Sequence, residues 1–308
     1  MSWVEEEVGG TELGDKRRTQ RLVKLIEDIA SAPNASIPQA SRDNGAMQGI
    51  YEFWSNPRID ADAILSGHQQ QTLKRIASHA VVLAIQDTSE LDYSSQKHLS
   101  GVGPISNAEA QGLKMHTVLA ASSSGIPLGI LHQEVWARDK QRRTSKRRRE
   151  IAEKESVRWL GGLEAAQSQI ATETKVITIG DREADIYELF AHPRRDNSEL
   201  LIRAAQNRKT QSSESGEVQP LFEAIASAPV IGEATIEMQR TPRRVARSAR
   251  LVIRIAKLWL QAPAHLPTPG VIVVNVIEAA EATPPEGEKA IRWVLLTTLP
   301  VDSLEEAQ

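Results

Sequence analysis

Two short runs of unbroken apolar, β-branched residues constrain this chain more than anything else in it. AVVLAIQ (80–86) and KVITIG (175–180) lack the polar alternation of a half-exposed strand. That pattern belongs to strands covered on both faces, in the middle of an α/β sheet. Each run is followed at once by an aspartate, Asp87 and Asp181. In open α/β sheets, sites form outside the carboxyl ends of the strands. If the two strands are parallel neighbours, both carboxylates stand at one sheet edge, where they repel unless a cation lies between them. Hard oxygen ligands suit Mg²⁺ or Mn²⁺, and two such ions can clamp the attacking and leaving oxygens of a phosphodiester. The plainer reading is that a strand-end Asp caps the next helix, and Asp181 directly precedes the helical READIYELF. Arg182, Glu183 and Asp185 crowd the same turn, either orienting ligands or complementing the helix dipole.

The rest of the chain supplies a mixed α/β order. Residues 11–80 read as helical. Asp15 is the expected N-cap of a helix through Ala30, with Leu22, Leu25, Ile26 and Ile29 as its apolar stripe. A second helix is expected from about Gln39 to Trp54, and a third from about Ala61 to Ser78. MHTVLAA (115–121) and IPLGILHQEVWA (126–137) flank SSSG as a hairpin. Residues 150–170 read as a helix and ELLIRAA (199–205) as a strand. NRKTQSSESGEVQP (207–220) has loop composition, and 231–280 alternates like a small β-rich insertion. IRWVLLTTLP returns to a buried strand, where Trp293 is by default a core residue. VDSLEEAQ opens a helix capped by Asp302 or Ser303. Helices, strand, hairpin, helix, strand, helix, insertion and strand fit a mixed sheet carrying a β insertion.

Composition removes several chemistries. There is no cysteine, which excludes disulfides, thiolate zinc, iron–sulfur clusters and cysteine nucleophiles. The histidines are scattered without an HExxH, and no Walker loop or strand-borne GxGxxG occurs. His116 and His132 fall in strands and read as structural. Ser122, Ser123 and Ser124 sit in a hairpin turn, not in a GxSxG elbow. The N-terminus MSWVEEEVGG has no apolar core for a signal peptide, and no apolar run approaches the ~18 residues that span a bilayer. A soluble, cytoplasmic protein is expected.

The net charge of −3 conceals local positive charge. RDKQRRTSKRRR (138–149) holds eight basic residues against one acid. Arg240, Arg243, Arg244, Arg247, Arg250 and Arg254 form a second set, and Arg17, Arg21 and Lys24 share one face of the first long helix. Such runs are by default solvated, yet arginine at this density suits phosphate contact. Three basic sites together point to an extended polyanion as partner.

Six collinear blocks carry a family resemblance: LGDKRRTQRL (13–22), AIQDTSELDY (84–93), PLGILHQEVWAR (127–138), EKESVRWL (153–160), VITIGDREADIYELF (176–190) and IRWVLLTTLPVDSLEEA (291–307). They resemble the DDE transposases of the insertion-sequence-four family, from about residue 11 onward. The resemblance implies a helical DNA-binding domain over residues 1–75. It also implies a ribonuclease-H-like catalytic domain over 76–308, interrupted by a β-rich insertion at about 207–290. Asp87 and Asp181 match the first two catalytic carboxylates, which hold Mg²⁺ (or Mn²⁺) for hydrolysis and strand transfer at transposon ends and target DNA. Arg17, Arg18 and Arg21 match end-DNA contacts. Arg203 matches an arginine near the active site, and Trp293 the tryptophan that receives a flipped base. A bacterial, nucleoid-associated setting follows. The linker 138–149 is more basic than its counterpart in the family. The third carboxylate, a Glu in a tyrosine–arginine–glutamate–lysine motif after the last strand, is not matched, since Glu305 and Glu306 come too early. The dimerisation domain is not matched either.

Three expectations follow: a transposase impaired by the missing Glu, a non-catalytic DNA-end binder that inhibits transposition, or a nuclease recruiting Glu183 or Glu188.

Overall fold

The computed structural model describes residues 2–106, 109–139, 155–213, 216–241, 245–264, 266 and 271–308. The basic run at 140–149 and Arg243 and Arg244 lie outside the described residues.

The chain opens with helices α1 (Trp3–Val8), α2 (Lys16–Ser31), α3 (Ile37–Ala40), α4 (Asn44–Trp54) and α5 (Ala61–Ile76). Asp15 caps α2 as expected, accepting the Arg17 N–H at 2.8 Å. Leu22 and Leu25 are buried with Val4, Val8, Leu13, Ile50 and Phe53, while Ile26 and Ile29 pack at the edge of that cluster. The single helix expected from Gln39 to Trp54 is instead two. Ser41 is extended and ends α3, and Asp43 starts α4 by accepting the Ala46 N–H at 2.8 Å. Short polar side chains there outcompete the helical backbone for its own hydrogen bonds.

Helix α5 serves two cores. Ala63 and Ile64 pack on the helical cluster, whereas Leu73 and Ile76 pack on the sheet. Its polar side chains also reach the edge of strand β4 (Pro127–Trp136). Arg75 Nε donates to the Leu128 carbonyl, Gln69 to that of Leu131 at 2.6 Å, and His68 Nε2 accepts the Ile130 N–H at 2.8 Å. Glu7 of α1 braces this contact. It accepts both Arg75 terminal nitrogens, at 2.7 and 2.9 Å, and pairs with His68 Nδ1.

The sheet is built from β1 (Val81–Asp92), β2 (Gly103–Pro104), β3 (Gln111–Ser122), β4, β5 (Lys175–Gly180), β6 (Ser198–Arg203), β7 (Lys209–Gln211), β8 (Val218–Pro220), β9 (Val230–Met238), β10 (Arg247–Gln261), β11 (Val271–Glu281) and β12 (Arg292–Thr297). The strands run β4-β3-β1-β5-β6-β12-β11-β10 in space, β2 joining β3, and β9 and β7 joining β10. β3 pairs antiparallel with both β4 and β1, and β1, β5 and β6 are parallel. The sheet is open.

One expectation is corrected here. β1 does not stop at Asp87 but continues to Asp92, paired with β3 after its β5 pairing ends at Ile85. The segment expected as a β-rich insertion contains β7 to β11. β12 pairs with both β6 and β11, so the inserted strands prolong the same sheet.

Helices α6 (Val157–Gln169), α7 (Tyr187–Ala191) and α8 (Leu221–Ala226) cover one sheet face. Trp159, Leu163, Leu189, Leu221 and Ile225 bury Leu200, Ile202, Val276 and Leu296 beneath them. α6 begins at Val157, and the start of the expected 150–170 helix lies outside the described residues. On the opposite face, α9 (Leu304–Ala307) packs in a cluster with Leu251, Ile253 and Ile277 of the inserted strands and Leu295 of β12. Ser303 is its cap, accepting the Glu306 N–H. Over the parallel strands that face carries no helix among the described residues, and Leu83, Ile85, Ile177, Ile179 and Leu201 are half-buried, so these strands are not covered on both faces as their apolar runs suggested.

Candidate functional site

The helical unit presents a basic face. Arg17, Arg21 and Lys24 are exposed on α2, at the spacing that aligns side chains on one side of a helix. The Arg21 guanidinium lies across α4 at Gly49, where an added Cβ would fall 1.7 Å from it. Arg21 and Lys24, with Arg42, Asp28 and Gly45, line a cleft of about 410 Å³. Arg42 reaches Asp28 at 2.6 Å and keeps its own side chain largely exposed. Arg18 behaves differently. It is half-buried and donates to the Leu13 carbonyl at 2.8 Å, closing the turn in which Gly14 takes φ +72°.

Among the described members of the second basic set, three are paired with glutamates. Arg247 bonds Glu281 and Glu288, Arg250 bonds Glu233, and Arg254 shares the buried Glu278 with Arg292. β-Strand register sets these pairs, which bring together residues far apart in sequence. Of this set, Arg240 is exposed.

The sheet gathers the remaining candidates into one row. The β1–β5 ladder ends at Ile85 opposite Ile179, two residues before Asp87 on one strand and two before Asp181 on the other. The β5–β6 ladder ends at Gly180 opposite Ile202, so one further residue sets Asp181 opposite Arg203. Arg203 pairs in turn with Leu295 of β12. Asp87, Asp181 and Arg203 thus stand at the ends of adjacent strand pairings along one edge of the sheet. By strand parity all three face away from α6, and all three are exposed. Trp293 stands two residues before Leu295 on the same face of β12. At 36% exposure it is not the core residue its strand position suggested.

Asp181 also fulfils the plainer reading: its carboxylate accepts the Glu183 N–H at 2.8 Å and caps a 3-10 turn at Arg182–Ala184. Asp185 is wholly structural. It is buried, accepts the Ala205 and Gln206 N–H groups at 2.6 and 2.7 Å, and pairs with Arg208. It thereby ties the turn after β5 to the chain leaving β6. Residue type and spacing gave no signal of this, because all three partners lie beyond the next strand.

Behind Asp87, on the α6 side, His116 is fully buried. Burial, helped by the charges of His132 and Arg158, pushes its pKa down to about 4, so the imidazole is neutral near pH 7. Nearby, Lys114 pairs with Glu90 at 3.1 Å, and the Ser106 hydroxyl, with Lys114, holds the Glu90 carboxyl below the usual carboxylate range.

Among the described residues no group of three or more His, Asp or Glu is arranged to hold a metal ion. Asp87 and Asp181 fit a narrower requirement. Mg²⁺ commonly takes one or two protein carboxylates and completes its shell with water and substrate phosphates. Among the described residues no helix is long and apolar enough to cross a membrane.

Residues 1–59 match a protein-family model described as transposase DNA-binding. The matched segment takes in α1 to α4, and with them Arg17, Arg18, Arg21 and the cleft between α2 and α4. The chain thus carries an N-terminal transposase-type DNA-binding domain, followed by a mixed α/β domain with a large open sheet.

Proposed function

We propose that this chain is a DNA-binding protein of transposase type that occupies transposon ends and so restrains their transposition. The observation that carries this reading is a coincidence of position: the residues matching the DNA-binding family are those that display Arg17, Arg21 and Lys24 on one exposed helical face. Phosphate contacts supply affinity and make it salt-dependent. A gel-shift titration with end-bearing DNA over a range of salt tests it. Arg17→Ala and Arg21→Ala should each weaken binding and lower the salt slope by about one. Unchanged binding in the double variant would discard the assignment. Arg18→Ala acts through the Leu13 turn instead, and is expected to lower stability along with affinity.

A second reading is favoured by the row Asp87–Asp181–Arg203 and by the β4-β3-β1-β5-β6 order, which supports a ribonuclease-H-like core. In this reading the chain is a cut-and-paste transposase. Asp87 and Asp181 hold Mg²⁺ or Mn²⁺, which when bound supplies Lewis-acid activation of a phosphodiester. Arg203, next to Asp181, neutralises and orients the phosphate. Trp293 offers an exposed aromatic face on which an unpaired base can stack. Mn²⁺-dependent nicking of end-bearing DNA that disappears in Asp181→Ala would establish this reading. DNA binding without nicking would leave the first.

A further inference from the structure

Asp87 sits between two residues that share one buried imidazole. Gln86 and Thr88 both lie toward α6, and His116 is Thr88's partner across the β1–β3 ladder. His116 Nδ1 is 2.8 Å from Thr88 Oγ1, and its Nε2 is 3.0 Å from the Gln86 side-chain amide. With the Gln86 nitrogen toward the Trp159 carbonyl (3.3 Å) and His116 Nε2, the Gln86 oxygen accepts the Leu163 N–H at 3.1 Å. His116 then receives a hydrogen bond at Nε2 and donates one from Nδ1 to Thr88.

Trp159 and Leu163 are i and i+4 on α6, so Gln86 enters the helix's own hydrogen-bond ladder. Gly162 makes room for it, since a Cβ there would meet Gln86 Oε1 at 2.5 Å. The Trp159 ring seals the cluster edge-on to His116, with centroids 4.8 Å apart. β1 has already parted from β5 at this point. Residues 86–88 are therefore held by β3 and by this cluster.

We infer that His116 is a positioning residue. By bonding both neighbours of Asp87, it fixes β1 where the strand leaves β5 and presents the carboxylate on the open face beside Asp181. The bearing of this on chemistry rests on the second reading above; the positioning itself does not.

Two variants of the full chain test it. His116→Phe keeps a ring against Trp159 but removes both hydrogen bonds. Gly162→Ala leaves His116 in place and displaces Gln86. His116→Gln, which can still accept and donate, serves as the rescue. One readout is amide hydrogen exchange along the chain, and the other is Mn²⁺ binding followed by electron paramagnetic resonance. Exchange at residues 86–90 should rise at least about tenfold in His116→Phe and Gly162→Ala, with α2 and β5 unchanged. Mn²⁺ should bind about tenfold more weakly, and His116→Gln should recover part of both. Wild-type protection at 86–90 in the folded variants would overturn the inference, and Gly162→Ala alone decides it if His116→Phe does not fold. If the wild-type chain binds no Mn²⁺, the metal reading fails while the exchange result still decides the positioning.

Discussion

Gly49 shows how one missing side chain can matter to a surface rather than to a core. Its absent Cβ is where the Arg21 guanidinium lies. Gly49→Ala displaces only the end of a flexible side chain and gains about 1 kcal/mol of helix propensity. The expected outcome is an unchanged or raised melting temperature with DNA affinity about fivefold lower, read by thermal denaturation and gel shift. Asp185 has the opposite character. Asp185→Ala leaves two backbone donors and the buried Arg208 without their acceptor. It should cost about 3–5 kcal/mol in urea unfolding. His116 adds a pH signature. Its folded pKa of about 4 lies below its ordinary 6.5, so the unfolded chain binds the extra proton between those values. Stability should therefore fall as pH drops from 6.5 towards 4, by about 3 kcal/mol for this group. His116→Phe should remove that part of the slope in urea titrations at several pH values.

Among the elements, α5 joins the two halves of the molecule, and Glu7 holds it in place. The Arg75 hydrogen bonds, opposed in part by burial, keep the Glu7 carboxyl below the usual range. A depressed carboxylate stabilises above its unfolded pKa and loses that contribution as pH falls through the folded one. Glu7→Gln should thus cost about 1–2 kcal/mol at pH 7 and progressively less as pH falls below the ordinary carboxylate range, measured by denaturant unfolding. Much of the element pattern was legible in the residues. Asp15, the apolar stripe of α2 and the runs at 81–85 and 175–180 act through neighbours in sequence, so local rules suffice. The break between α3 and α4 lies in Ser41 and Asp43, whose local signal competes with a stronger apolar pattern around it. The extension of β1 over SELD was not legible, because polar residues there are held by β3 rather than by a core.

For the whole molecule, register decides what composition leaves open. Asp87, Asp181, Arg203 and Trp293 fall on one face because four adjacent strands align. The candidates could be named from the sequence, but their alignment needed the ladders. The same ladders removed Arg247, Arg250 and Arg254 from the pool of free charge by setting glutamates beside them. No local signal marks those pairings, since every partner glutamate lies on another strand or beyond one.

The placement of β12 has a consequence for how the chain reaches this state. The strand fills the seam between β6 and β11, yet it follows both in sequence. Until residues 292–297 are in place, two half-sheets each carry a bare edge of unpaired N–H and C=O groups, open to pairing with other chains. Joining them closes a long stretch of sequence at once, which makes this a slow, late event in folding. Nascent chains are therefore most exposed to misassembly just before β12 docks, and a folding helper that shields strand edges would act in that interval.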